Sequence, residues 1–255
     1  MPTKPAKLIV LGSASAVPDG EHDNTHLLLA GEQDLILIDC PNNPYLRVQQ
    51  AGYDPMEISD LILTHFHPDH VSGAPTLLMN MWLMKRQKPL RIHGLGVTLD
   101  LLEKMMVLFN WQKWADMFPV ELNRLPEEEM YPVWQSVQFE IHSSPVCHLI
   151  PTLGFRFTNR LSGKWVAYSC DSEPCDSVVE LARGATLLIH EAVGEARGHS
   201  SPRQAGETAR KAGAESLALI HYPPKNGNLL QWEKEAQGEF DGKVMLARDL
   251  MEFLF

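Results

Sequence analysis

Apolar residues fall into short dense runs separated by polar turns. Several runs are too continuous to have one face in water. Lys7–Leu11 reads as a first strand, and the Gly12-Ser13-Ala14-Ser15 loop after it permits close backbone approach. Thr25–Ala30 and Asp34–Asp39 are predicted strands joined as a hairpin through a turn containing Gly31. Pro44–Gly52 reads as a helix closed by its glycine, and Leu61–Thr64 as the next strand. Ala74–Lys85 and Val97–Phe109 carry helical spacing, with the strand Leu90–His93 between them. Val137–His142, Leu153–Thr158 and Lys164–Ser169 are predicted strands divided by turn residues. The last third alternates: helix Asp176–Arg183, strand Thr186–His190, helix Pro202–Ala212, strand Ser216–His221, then a short helix and strand. Two sheets packed face to face with helices outside would bury both patterns, an α/β arrangement. No linker, charge block or repeat divides the 255 residues, so residues 1–255 are expected to form one domain.

Composition narrows the function. At 44% hydrophobic residues the chain can build a large core, and a net charge of −10 argues against a broad nucleic-acid-binding surface. Four cysteines at unrelated spacings read as reduced thiols of a cytoplasmic protein. Lys4 and Lys7 precede a four-residue apolar run, Leu8–Leu11, and a small-residue pattern, Ala14-Ser15-Ala16. That run is too short for a secretory signal, which needs roughly seven or more apolar residues. No window approaches the roughly twenty apolar residues of a membrane span, so no membrane association is expected. Trp111, Trp114, Met117 and Phe118 cluster in Asn110–Pro119. They are read as core or as the contact of a homodimer in preference to a substrate pocket.

The chemistry concentrates in Thr64-His65-Phe66-His67-Pro68-Asp69-His70. While the chain is extended, His65 and His67 point to one side; past Pro68 it turns, and Asp69 and His70 can face a second position. Three further polar residues follow apolar strands: His148 after Pro145-Val146-Cys147, Asp171 after Trp165–Ser169, and His221 after Leu217–Ile220. Together they complete two coordination shells. His65, His67 and His148 form one, Asp69, His70 and His221 the other, and Asp171 is shared. Histidine and carboxylate ligands with an open position suit two divalent ions, zinc first, with manganese or iron as alternatives. Asp39, ending its strand, is placed to support the loop from behind. Cys147 and Cys170, beside His148 and Asp171, are read as buried thiols, and His22, His26, His93 and His142 as structural. His190 is assigned to the core or to support of the site.

The run His65-x-His67-x-Asp69-His70 with His148, Asp171 and His221 resembles the metallo-β-lactamase superfamily over nearly the whole chain. The ribonuclease Z branch is the most similar. Its first loop resembles Leu11-Gly12-Ser13-Ala14-Ser15-Ala16-Val17-Pro18, and its Tyr-Ser-Gly-Asp-Thr resembles Tyr168-Ser169-Cys170-Asp171-Ser172. Its His-Glu-Ala-Thr resembles His190-Glu191-Ala192, and its His-Ser-Thr resembles His199-Ser200-Ser201. The resemblance implies a four-layered αββα sandwich and a two-metal hydrolase. It also implies that Glu191 hydrogen-bonds His199, making a proton donor, so Asp69, His199 and Glu191 are the expected catalytic residues.

The departures bear on substrate. Members that process transfer RNA carry a long RNA-gripping arm, commonly between the positions matching His148 and Asp171; here 23 positions separate the two, already filled by two strands and a turn. The branch's basic first loop is replaced by Pro18-Asp19-Gly20-Glu21-His22-Asp23-Asn24, which keeps only the asparagine. The expected reaction is therefore hydrolysis of a small or single-stranded phosphodiester through a metal-bridging hydroxide, with full precursor transfer RNA disfavoured. Lactone or other carboxylic ester, aryl sulfate and β-lactam hydrolysis are the alternatives on the same centre. A metal-loaded regulatory protein without turnover is a further one.

Overall fold

The computed structural model describes residues 5–225 and 228–255. The apolar runs pair into two seven-stranded sheets. The first contains β1 (Lys7–Gly12), β2 (His26–Ala30), β3 (Leu35–Ile38), β4 (Asp60–Ile62), β5 (Leu90–Leu95) and β6 (Val120–Leu125) in sequential order. The C-terminal strand Glu252–Leu254 lies beside β1. The β1–β2–β3 pairs are antiparallel and β3 through β6 run parallel. The second sheet contains β7 (Tyr131–Gln135), β8 (Phe139–Val146), β9 (Thr152–Asn159), β10 (Trp165–Tyr168), β11 (Leu187–Glu191), β12 (Ser216–Ile220) and β13 (Lys243–Leu246). Strands β7 to β10 are antiparallel neighbours and β10 to β13 parallel.

Helices α1 (Pro44–Gln50), α2 (Pro68–Val71), α3 (Ala74–Leu83) and α4 (Gly96–Leu108) cover the first sheet, and α5 (Asp176–Leu181), α6 (Pro202–Ala212) and α7 (Leu229–Gln237) the second. Strand residues alternate between two buried faces. Leu8, Val10, Leu27, Leu29, Ile36 and Ile38 meet Phe155, Phe157, Ile189 and Ile220 between the sheets. Ile9, Leu11, Leu28 and Leu37 instead pack on Leu77, Leu78, Leu99 and Met106 of the helices. Burial on both faces is why these strands read as continuous apolar runs. Small residues dominate the other outer layer, where α6 and α7 approach so closely that a Cβ at Gly206 would lie 2.4 Å from the Ala236 carbonyl oxygen. The result is the expected αββα sandwich.

One strand was expected at the C-terminus where two form, and two others escaped the sequence reading, β6 and β7. Both lie at sheet edges; β6 is half exposed, and β7 carries Pro132 and a register shift between Pro132 and Trp134. Val137 is not the start of a strand. It is 82% exposed in a turn where the Ser136 hydroxyl accepts the Gln138 and Phe139 N–H groups, and β8 begins at Phe139. The Trp- and Met-rich segment packs by Phe118 into the layer under α3 and α4, with Trp114 stacked on Trp82. It precedes β6, which runs parallel to β4 through β5, so it lies toward the amino end of these strands and the histidine motif beyond their carboxyl end. Among the described residues no helix is long and apolar enough to cross a membrane.

Candidate metal centre

Every candidate site residue follows the carboxyl end of a strand, and the pairing directions bring those ends to one rim. Asp39 follows β3, the histidine motif β4, His148 β8, Asp171 β10, and His221 β12. Glu191 ends β11, and His199 lies in the loop to α6. Ligand sites in open α/β sheets occupy this position. Three of the turns use left-handed backbone: Asp39 (φ 62°), Cys170 (φ 53°) and His221 (φ 54°). Pro68 opens α2 and places Asp69 and His70 one turn beyond His67.

The imidazole and carboxylate donors form two groups, beside a third that joins His65 and His70 to the Cys170 sulfur. His65 Nε2 lies 3.0 Å from His67 Nδ1, His148 Nε2 lies 3.2 Å from that same nitrogen, and Asp171 Oδ2 stands 3.9 Å from both His65 and His148. In the second group His70 Nε2 is 3.6 Å from Asp69 Oδ2 and 3.5 Å from Asp171 Oδ1. His221 Nε2 is 3.9 Å from Asp69 Oδ2 and 3.2 Å from Asp171 Oδ2. Donors set tetrahedrally at about 2.1 Å from one ion stand roughly 3.4 Å apart, so both groups have the spacing of coordination shells. His70 Nε2 and Asp171 Oδ1 are buried and have no hydrogen-bond partner, as atoms reserved for an ion would be. The arrangement fits two divalent ions with Asp171 between them.

Electrostatics agree. Burial holds His65 and His148 below the ordinary imidazole value and keeps them neutral, the form a metal requires. Burial opposes charge on His70 too, but Asp171 and Asp39 outweigh it and raise its pKa. An entering ion must displace that proton.

The outer nitrogens are held from behind. His70 Nδ1 donates to Asp39 Oδ2 at 2.7 Å; the Thr64 hydroxyl donates to the same oxygen at 2.9 Å and lies 3.0 Å from His65 Nδ1. Asp39 Oδ1 also accepts the Thr64 N–H, so one buried carboxylate fixes both imidazoles. His148 Nδ1 donates to the Gly198 carbonyl at 2.6 Å. His199 Nδ1 donates to Glu191 Oε1 at 2.8 Å, and its ring packs against His148 and His221 at centroid distances of 5.0 and 6.2 Å. Glu191 is further held by the Ser172 and Val193 N–H groups. Burial works against charge on His199, but its bond to Glu191, with Asp171 and Asp69 nearby, raises its pKa.

Sequence reasoning missed Thr64 and the Gly198 carbonyl. The first could have been found as a hydroxyl beside a histidine at a strand end; a backbone acceptor leaves no compositional trace. Cys170 is buried 3.6 Å from His65 Nδ1, whereas Cys147 is exposed, against the expectation of a buried thiol, because β8 ends one residue before it. His190 belongs to the core, with Nδ1 bonded to the Glu191 carbonyl. His26 and His93 are buried structural residues on the Asn24 carbonyl and Asp60. The acidic first loop is less open than its composition suggests. Asp19 accepts His22 Nδ1 at 2.9 Å, and Asp23 accepts Asn42 and faces Arg47. Arg47 also bonds Asp249 and the Leu11 carbonyl.

The sequence profile of the beta-lactamase superfamily domain matches residues 35–222, a span holding all seven candidate ligands. The chain belongs to the β-lactamase superfamily. Among curated members, ribonuclease Z of Pyrococcus abyssi is 28% identical, with 95% of this chain and 94% of that protein covered. The matched length there, 296 residues, exceeds the 255 of this chain, so that relative carries insertions this chain lacks. Among solved superfamily structures, the metallo-β-lactamase fold protein YhfI from Bacillus subtilis superimposes with a TM-score of 0.82 at 23% identity, covering 98% of both chains. Human tRNase Z, short form, gives 0.78 at 24%, covering 97% of this chain and 98% of its own. These likenesses establish the superfamily's fold over nearly the whole chain.

Proposed function

We propose that the protein is a dinuclear metal-dependent phosphodiesterase of the ribonuclease Z-like type, acting on a small or single-stranded phosphodiester. The observation that carries this is the pair of donor groups sharing Asp171, with the His199–Glu191 pair packed against both. His65, His67, His148 and Asp171 would hold one ion and Asp69, His70, His221 and Asp171 the other; nitrogen and carboxylate donors favour zinc. Bound there, the ions supply Lewis acidity and an acidified water.

The protein's own groups do the rest. With only Asp69 and Asp171 to offset two divalent charges, the centre stays cationic and favours an anionic phosphoryl group. Asp69 can orient the attacking water through the oxygen not engaged with the His70–His221 group. Glu191 takes the Nδ1–H bond and favours the imidazolium form of His199, whose second proton, on Nε2, would go to the leaving oxygen. The names of the relatives point to RNA substrates, but the short His148–Asp171 interval and the insertions of the Pyrococcus abyssi relative support a smaller one.

The test is a substrate screen of purified, metal-analysed protein against a small activated phosphodiester, precursor transfer RNA, lactones, an aryl sulfate and a β-lactam. Turnover of the diester with weak or absent processing of precursor RNA is expected. Efficient, salt-sensitive cleavage of precursor RNA would refute the small-substrate reading, and preference for any non-phosphate ester would refute the reaction class.

A further inference from the structure

Two thiols meet on the rim just outside the histidine cluster. Cys147 follows β8 and is exposed; Cys175 precedes α5 and is half-buried. Their segments are tied together by backbone: the Cys147 carbonyl accepts the N–H of Glu173, two residues before Cys175, at 2.7 Å. The two side chains interact: burial and then Cys175 raise the pKa of the Cys147 thiol. Cys175 Sγ also lies 3.3 Å from the Ser177 hydroxyl and 3.5 Å from that of Ser172. The other two cysteines, Cys40 and Cys170, are buried.

We propose that Cys147 and Cys175 form a reversible disulfide, a modification site that clasps the strand end carrying His148 to the loop carrying Asp171. Neither thiol is a candidate ligand, and the inference does not depend on the reaction the centre performs. A disulfide needs two sulfurs whose backbones already lie close, and the backbone bond from Glu173 to Cys147, with Cys175 two residues on, brings the two segments together. Burial opposes charge on Cys175, but the Ser177 and Ser172 hydroxyls beside its sulfur lower its pKa.

The oxidant is a hydroperoxide. The Cys175 thiolate attacks one peroxide oxygen; the O–O bond breaks, a sulfenic acid forms, and the other oxygen leaves as water or an alcohol after taking up a proton. The Cys147 sulfur then attacks the sulfenic sulfur. The S–S bond forms, the S–O bond breaks, and the hydroxyl departs as water with the Cys147 proton. Two electrons pass from the thiol pair to the peroxide. A small dithiol reverses the modification by exchange.

The test uses the full, metal-loaded protein treated with hydrogen peroxide and then alkylated. Digestion with trypsin and a protease that cleaves before aspartate separates Cys170 from Cys175 by cleavage between Cys170 and Asp171. Two of the four thiols should become unavailable, one cross-linked peptide pair should join Cys147 to Cys175, and dithiothreitol should restore both. Cys147→Ser should stop at a sulfenic acid on Cys175, trapped by a dimedone probe, and Cys175→Ser should give no intramolecular link. Separate sulfinic or sulfonic acids without a Cys147–Cys175 link would overturn the proposal, as would trapping of the sulfenic acid on Cys147 in the wild type. If a serine variant fails to fold, the wild-type peptide map decides alone.

Discussion

Removing the imidazole of His199 separates acid catalysis from metal chemistry. His199→Ala deletes the donor to Glu191 Oε1 but leaves that buried carboxylate with the N–H groups of Ser172 (3.1 Å) and Val193 (2.9 Å). One charge-assisted hydrogen bond is lost, a stability cost of about 1.5–3 kcal/mol, which a sandwich of this size tolerates. None of the seven ligand residues is touched, so both ions should remain. The kinetic loss should depend on the leaving group. An alkoxide leaves poorly without a proton, and a positioned acid is worth about 10²–10⁴-fold. A nitrophenolate needs little help. The variant should therefore lose about two to four orders of magnitude in kcat on alkyl diesters and little on nitrophenyl ones. Glu191→Gln should show the same selectivity more mildly. The pH profile supplies a second reading. The proton on His199 is present below its pKa, which Glu191 raises above the ordinary 6.5. Wild-type activity on alkyl diesters should fall as pH climbs through that raised value, and this alkaline limb should vanish in His199→Ala. Equal losses on both substrates with both metals retained would refute the assignment.

Asp171→Ala removes the carboxylate between the two donor groups, and elemental analysis should show loss of one or both ions together with activity. Asp39→Asn tolerates the left-handed backbone at φ 62° but turns an amide N–H₂ toward His70 Nδ1 or Thr64. Competition with a chelator should show metal affinity down by about 10–100-fold. Gly206→Ala forces a methyl group against the Ala236 carbonyl, 2.4 Å from the ideal Cβ position. Urea denaturation should show a loss of about 1–3 kcal/mol, with kcat unchanged.

The parts of this molecule that sequence disclosed are those where one residue type has one use. Strands buried on both faces can hardly be anything else, which is why Leu27–Ala30 and Leu35–Ile38 were found almost to the residue. The helix α6 was read over its observed bounds, Pro202–Ala212, and a capping box at Ser201 and a left-handed glycine close its two ends. His65-x-His67-x-Asp69-His70 announced its chemistry because so many donors so close together serve few other purposes. What stayed hidden depends on neighbours. Strand β6 alternates weakly because it sits half exposed at a sheet edge, and Pro132 disguised β7. The exposure of Cys147 and its meeting with Cys175 follow from where β8 stops, a boundary no local pattern marks. The acidic first loop misled in degree, since charges that read as open are taken up by His22 and Arg47.

Each proposed ion would be gripped from both sheets at once. His65, His67, Asp69 and His70 come from the first, and His148, Asp171 and His221 from the second. The apolar interface between the sheets and the two coordination shells then form a single cooperative unit, in which neither half can bind alone. Ligand bound only to the docked state stabilises it by RT ln(1 + [L]/Kd), so metal availability would set the free energy of sheet docking as well as the rate of hydrolysis. Starved of metal, the protein would lose rigidity along the rim before its core, where Phe155, Phe157, Ile36 and Ile38 continue to hold the layers together.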